Sequence, residues 1–105
     1  MATTYDNIGV VFYLLGNYEK ALENCRKALS IREAVLGEHH PDVAYSYSNV
    51  GSVYQIMGDV ETALECYHKA LAILDERLGP DHITTKTVKA KISEIEAEMK
   101  ASEKE

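Results

Sequence analysis

The chain is 105 residues long, 46% hydrophobic and 27% charged, with a formal net charge of −6, which fits one soluble domain with a modest core. Residues 1–85 carry 12 acidic against 6 basic side chains, which argues against nucleic acid and anionic membrane surfaces, since both need a Lys/Arg stripe. No apolar run is long enough to span a bilayer and no signal-peptide pattern opens the chain, so a cytoplasmic setting is the expectation.

Two prolines, no tryptophan and few Val/Thr runs leave little room for a sheet, and apolar residues recur at helical spacing throughout. The first helix is expected over 3–15, with Ile8, Val11, Phe12 and Leu15 as its stripe. Gly16 stops it and Asn17 stands where an N-cap is wanted. The second, 18–36, carries Ala21, Leu22, Cys25, Ala28, Leu29, Ile31 and Leu36, and Gly37 stops it. Pro41 suits the first turn of a third helix over 41–57, where its missing N–H costs nothing. Gly58 and Asp59 then serve as stop and cap before a fourth helix over 60–78. A fifth, 83–101, has Val88, Ile92, Ile95 and Met99 on one narrow stripe and Lys and Glu elsewhere, with a frayed tail at 102–105.

The first two helices are written twice. Tyr5, Ile8-Gly9, Phe12 and Gly16 return 42 residues later as Tyr47, Val50-Gly51, Tyr54 and Gly58. Ala21-Leu22, Ala28-Leu29 and Leu36-Gly37 return as Ala63-Leu64, Ala70-Leu71 and Leu78-Gly79. A period of this size means stacked helix hairpins, and short glycine-containing links make consecutive helices antiparallel. Gly9, Ala21, Ala28, Gly51, Ala63 and Ala70 let helix axes approach closely, while Tyr5, Phe12, Leu22, Tyr47, Tyr54, Leu64 and Tyr67 fill the gaps between them.

Little in the chain points to chemistry. There is no phosphate-binding loop, no nucleophile motif and no convergent acid pair, so no enzyme activity is expected. Cys25 and Cys66 fall on apolar helix faces and read as small buried hydrophobes. His40 and His82 are equivalent by the repeat, which assigns them to loop closure or capping; with His39 and His68 they complete no metal-ligand spacing. No metal or cofactor is implied.

Tyr5…Ile8-Gly9…Phe12…Ala21…Cys25 and Tyr47…Val50-Gly51…Tyr54…Ala63…Tyr67 resemble the tetratricopeptide signature, although the 42-residue period exceeds that family's usual length. The long second helices ending in Leu36-Gly37-Glu38-His39-His40-Pro41 and in Leu78-Gly79-Pro80-Asp81-His82 resemble the kinesin light chain subtype. The resemblance covers about residues 3–85. It implies an all-α solenoid: one domain over 1–101, with repeat one at 3–40, repeat two at 41–82 and a capping helix at 83–101.

The same resemblance implies a non-catalytic protein-interaction module whose concave wall is built from the first helix of each pair. By that register the wall presents Thr3, Asp6, Asn7, Val10, Tyr13 and Leu14, then Tyr45, Ser48, Asn49, Ser52, Gln55 and Ile56. Such a surface suits a peptide or helix of mixed apolar and hydrogen-bonding character. It lacks Lys and Arg in the first two copies, against the clamp by which some relatives hold C-terminal carboxylates. Asn7 and Asn49 have two readings: rungs that bond the backbone of an extended peptide, or a helix–helix hydrogen bond. In the third copy Lys91 takes their place.

Two repeats are few, since repeat units bury their faces only against neighbours. The fifth helix is expected to cap the C-terminal end with Val88, Ile92, Ile95 and Met99. The N-terminal helix has no such cover, so the chain is expected either to belong to a longer array or to form a homo-oligomer, a dimer, through end-to-end packing or helix exchange.

Overall fold

The computed structural model describes residues 1–103. Five helices follow one another: α1 (Ala2–Leu14), α2 (Tyr18–Leu36), α3 (Pro41–Ile56), α4 (Val60–Arg77) and α5 (Ile83–Glu103). Among the described residues there is no strand, and the architecture is an all-α solenoid. The helix boundaries fall within about two residues of those expected from caps and periodicity, as assignments at fraying ends do. α5 runs on through Ser102 and Glu103, into the segment expected as a tail, while Lys104 and Glu105 of that tail lie outside the described residues.

The punctuation is chemical. Asn17 Oδ1 accepts from the Lys20 amide at 3.3 Å, and Asp59 Oδ1 accepts from the Thr62 amide at 3.3 Å, each satisfying an orphan donor of a helix start. His40 Nδ1 accepts from the Asp42 amide at 3.0 Å, and His82 Nδ1 accepts from the Thr84 amide at 3.1 Å. The repeated histidines therefore cap α3 and α5. Gly16 and Gly58, at φ 81° and 90°, close the two hairpins in a left-handed conformation that a side chain rarely adopts.

Two clusters form the core. Ala21, Cys25, Val50, Val53 and Cys66 join the two repeats. Val43, Ala44, Ala63, Tyr67, Ala70, Ile73 and Leu74 join repeat two to Val88, Ile92 and Ile95 of α5. The α5 stripe thus buries against α4, with Met99 half-buried at its end. Close approach is real at the hairpin crossings: a Cβ on Gly9 would stand 2.9 Å from Cys25 Sγ, and one on Gly51 only 3.2 Å from Cys66 Cβ.

The tyrosines divide differently from the expectation. Tyr67 is wholly buried, but Tyr5, Tyr47 and Tyr54 are half-buried. Their outer ring faces carry cations: Lys27 over Tyr5, Lys69 over Tyr47 and Arg26 over Tyr54, each at 5.6 Å from the ring centroid. The signature ring positions here are half core and half cation platform.

Candidate functional site

α3 lies between α1 and α5, and two hollows flank it on the face built by the first helices. The smaller, about 270 Å³, opens between Asp6, Gly9, Val10 and Tyr13 of α1 and Asn49, Ser52 and Val53 of α3, with Cys25 at its back. The larger, about 590 Å³, opens between Tyr45, Ser48, Asn49 and Ser52 of α3 and Ile83, Thr84, Thr87, Val88 and Lys91 of α5. Leu74 of α4 and Leu78, the residue that ends it, supply part of its apolar wall, and Asp42 and Pro41 its rim. Asn49 and Ser52 line both, so the hollows adjoin across α3.

A buried polar network stands behind the first hollow. Arg32 Nη1 donates to Asp6 Oδ2 at 2.5 Å and to Ser46 Oγ at 2.6 Å. Asn49 Nδ2 donates to Asp6 Oδ1 at 3.4 Å. The Asp6 and Arg32 side chains are 9% and 12% exposed. Charges so far from water persist only when paired and hydrogen-bonded, so these four residues tie α1, α2 and α3 into one arrangement. The Arg32 guanidinium also lies 5.6 Å from the Tyr45 ring centroid, which fixes that ring beside the second hollow.

Behind the second hollow stands Tyr67. Its hydroxyl donates to Gln55 Oε1 at 3.2 Å and pairs with Ser52 Oγ at 2.9 Å. Burial pushes its phenol above the usual 10.0, with the Ser52 hydrogen bond working against that rise. Lys91 Nζ lies 5.9 Å from the centroid of the same ring.

The hollows bring together seven of the twelve residues expected on the concave wall: Asp6, Val10, Tyr13, Tyr45, Ser48, Asn49 and Ser52. Thr3, Asn7, Leu14, Gln55 and Ile56 line neither. Gln55 is held by Tyr67. Leu14 and Ile56 are the last residues of α1 and α3, and Ile56 lines a separate depression with Leu15, Tyr18 and Met57. Asn7 is exposed although its repeat partner Asn49 is half-buried, because α1 has a neighbouring first helix on one side only. Thr3 is likewise exposed. Asn49 makes the helix–helix hydrogen bond of its second reading, which uses one of the amide's four hydrogen-bonding positions.

Sequence reasoning left out Arg32, Ser46 and the α4 and α5 walls. Arg32 had a signal: it continues the Ala21–Cys25–Ala28 stripe of α2, and an arginine on a buried stripe requires an acid on the facing helix. The groove is also not free of cations: Lys91 of α5 lines the larger hollow, while Arg32 stays behind the wall and lines neither.

The thiols are unreactive by position. Burial, and secondarily the Asp6 carboxylate, push Cys25 up to about 11; burial likewise raises Cys66. At pH 8 roughly one Cys25 in a thousand is thiolate. Iodoacetamide labelling of the folded protein, read by mass spectrometry, is therefore expected to be slow at pH 8 and to accelerate as pH rises toward 11. Equal labelling rates in native buffer and in denaturant would contradict the burial.

Among the described residues no three His, Cys, Asp or Glu side chains converge as a metal site would need, and no helix is long and apolar enough to cross a membrane.

Comparison with known proteins agrees with this geometry. The N-terminal domain of stress-induced protein-1 (STI-1) from C. elegans is similar in structure, with a TM-score of 0.70 over 91% of this chain and 68% of that one. The two are 19% identical, so the likeness concerns the fold. No curated protein matches the sequence. The tetratricopeptide repeat model matches twice, over residues 1–59 and 42–104. The windows start 41 residues apart, close to the internal period, and together take in almost every residue. The chain belongs to the tetratricopeptide repeat family, whose helical arrays serve as protein–protein interaction modules.

Proposed function

We propose that the chain is a non-catalytic adaptor that binds an extended peptide or a helix along the two adjoining hollows, crossing α3 at Asn49 and Ser52. The observation that carries this reading is the composition of the hollows. Val10, Tyr13, Tyr45, Leu78 and Ile83 offer apolar contact, while Ser48, Asn49, Thr84 and Thr87 offer hydrogen bonds to a peptide backbone. Lys91 is the cation of the larger hollow, and no carboxylate pairs with it among the described residues. It favours ligands with an acidic side chain at that end. The 42-residue period and the histidine caps support the long-helix subtype resembling kinesin light chain, and with it a cytoplasmic adaptor role.

Tyr45 is the residue to test, because it is 57% exposed and its removal leaves the core alone. Peptides selected from a random display library on the intact chain are expected to lose affinity by about tenfold against Tyr45→Ala, which corresponds to about 1.4 kcal/mol. Glu61→Ala, on the exposed start of α4, is expected to leave binding unchanged. Selected peptides that bind Tyr45→Ala as well as the parent would place the site elsewhere.

A further inference from the structure

The seam between the two repeats has a second opening, on the side built by the second helices. There α2 and α4 flank α3 and leave a cleft of about 290 Å³, at the small end of ligand cavities. Arg26 and Ser30 of α2 form one wall, Glu65 and Lys69 of α4 the other, and Tyr47 and Cys66 lie between them. The cleft shares no lining residue with either hollow.

Two cations face this cleft without an acid. No carboxylate pairs with Arg26 or Lys69 among the described residues. Each is held instead by a ring of α3. Arg26 lies 5.6 Å from the Tyr54 centroid and donates to the Tyr54 hydroxyl at 2.6 Å. Lys69 Nζ lies 5.6 Å from the Tyr47 centroid. The repeat supplies a contrast. Lys27, the counterpart of Lys69, also lies over a ring, that of Tyr5, but it pairs with Glu23 at 3.7 Å. Glu65 offers Lys69 the same four-residue spacing, and that pair does not form. An arginine and a lysine are thus fixed on opposite walls with their charge uncommitted.

The field at the floor agrees. Burial raises the Cys66 thiol overall; among the charges around it, Lys69 and Arg26 act to lower it more strongly than Glu65 and Asp59 act to raise it. The floor of the cleft is therefore positive within a chain of net charge −6.

We infer that this cleft is an anion site that takes the phosphoryl group of a phosphorylated side chain on a partner protein, held between Arg26 and Lys69. A phosphoryl group carries about two negative charges and three acceptor oxygens at neutral pH, which matches two cations on facing walls. A carboxylate carries one charge and would leave one cation over. Arg26 spends one of its five N–H donors on Tyr54 and Lys69 brings three, so donors suffice for all three oxygens. The site is independent of the adaptor reading, since the hollows lie on the side of the first helices.

Titration of the intact chain with N-acetyl-O-phosphoserine methylamide at constant ionic strength, followed by amide nuclear magnetic resonance, tests this. Saturable shifts are expected at Ser30, Tyr47 and Lys69. Arg26→Gln and Lys69→Gln should each weaken binding about tenfold. Glu65→Gln should tighten it several-fold, because it removes the carboxylate that lines the cleft. Lys27→Gln removes the same charge outside the cleft and should change nothing, as should Tyr45→Ala in the hollows. Arg26, Lys27, Glu65 and Lys69 are all exposed, so these variants should keep the parent's far-ultraviolet circular dichroism. The glutamate analogue of the probe should bind about tenfold more weakly. Absence of saturable shifts, or shifts that survive Lys69→Gln, would overturn the inference. So would an equal loss in Lys27→Gln, or a glutamate analogue that binds as well as the phosphoserine probe.

Discussion

Replacing Arg32 with alanine is expected to cost about 3–5 kcal/mol of unfolding free energy, read as a fall in the urea midpoint at constant slope. Asp6 would be left buried with its guanidinium partner gone, and Ser46, wholly buried, would lose a hydrogen-bond partner. A domain of this size has only about 5–15 kcal/mol to lose, so the variant should be marginal at room temperature. Asp6→Ala should cost a similar amount for the reciprocal reason. The Asp6→Ala, Arg32→Ala pair should cost clearly less than the sum, because the second removal relieves the charge stranded by the first.

The chain also contains its own apolar answer to the same packing problem. Displaced by 42 residues, Asp6, Arg32 and Ser46 become Ser48, Leu74 and Val88, and Leu74 and Val88 pack in the core between α4 and α5. Installing that set at the first interface, as Asp6→Ser, Arg32→Leu and Ser46→Val together, is expected to restore stability to the parent's level or above it. Buried ion pairs replaced by apolar groups of similar volume often behave so. A triple variant as unstable as Arg32→Ala would show that the two interfaces are not interchangeable. If it is stable, the ionic version contributes position: it holds Asn49 through Asp6, and Tyr45 through the guanidinium, beside the hollows.

The same comparison explains what the sequence made legible. Helix limits, caps and the buried stripes depend on near neighbours and on a repeated pattern, so the 42-residue period conveys them with little loss. The hollows depend on where the pattern breaks. Lys91 stands where Asn7 and Asn49 predict an amide, Arg32 where Leu74 predicts an apolar residue, and the walls of the larger hollow come from α4 and α5 as well as α3. Asn7 and Asn49 are the sharpest case. They are one residue in the repeat but two environments in the fold, because α3 has a first helix on either side and α1 has one. Ser52 and Gln55 have the register of wall residues, yet the hydroxyl that holds them belongs to Tyr67, a residue the same register assigns to the core.

Tyr67 is therefore where core and groove meet, and its substitutions should separate the two. Tyr67→Ala removes a wholly buried ring packed against Gly51 and is expected to cost about 3–5 kcal/mol. Tyr67→Phe keeps the ring and the surface beneath Lys91 but deletes the hydroxyl. It should cost only about 1 kcal/mol, the worth of a satisfied hydrogen bond, while freeing Ser52 and Gln55. Peptide affinity should then change in the Phe variant with the fold intact, a result the alanine variant cannot give. Alkaline titration isolates the hydroxyl further. The folded-state phenol lies above the usual 10.0, so the neutral form is favoured by folding. That contribution is complete below pH 10 and is lost as pH rises through the folded value. Cys25, Cys66 and Tyr47 are raised in the same direction and add to the decline. The parent should accordingly lose stability steadily above about pH 9, and Tyr67→Phe should lose it less steeply, since phenylalanine has no proton to give up. If the two alkaline slopes coincide, folding does not hold the Tyr67 phenol neutral and the alkaline decline belongs to Cys25, Cys66 and Tyr47.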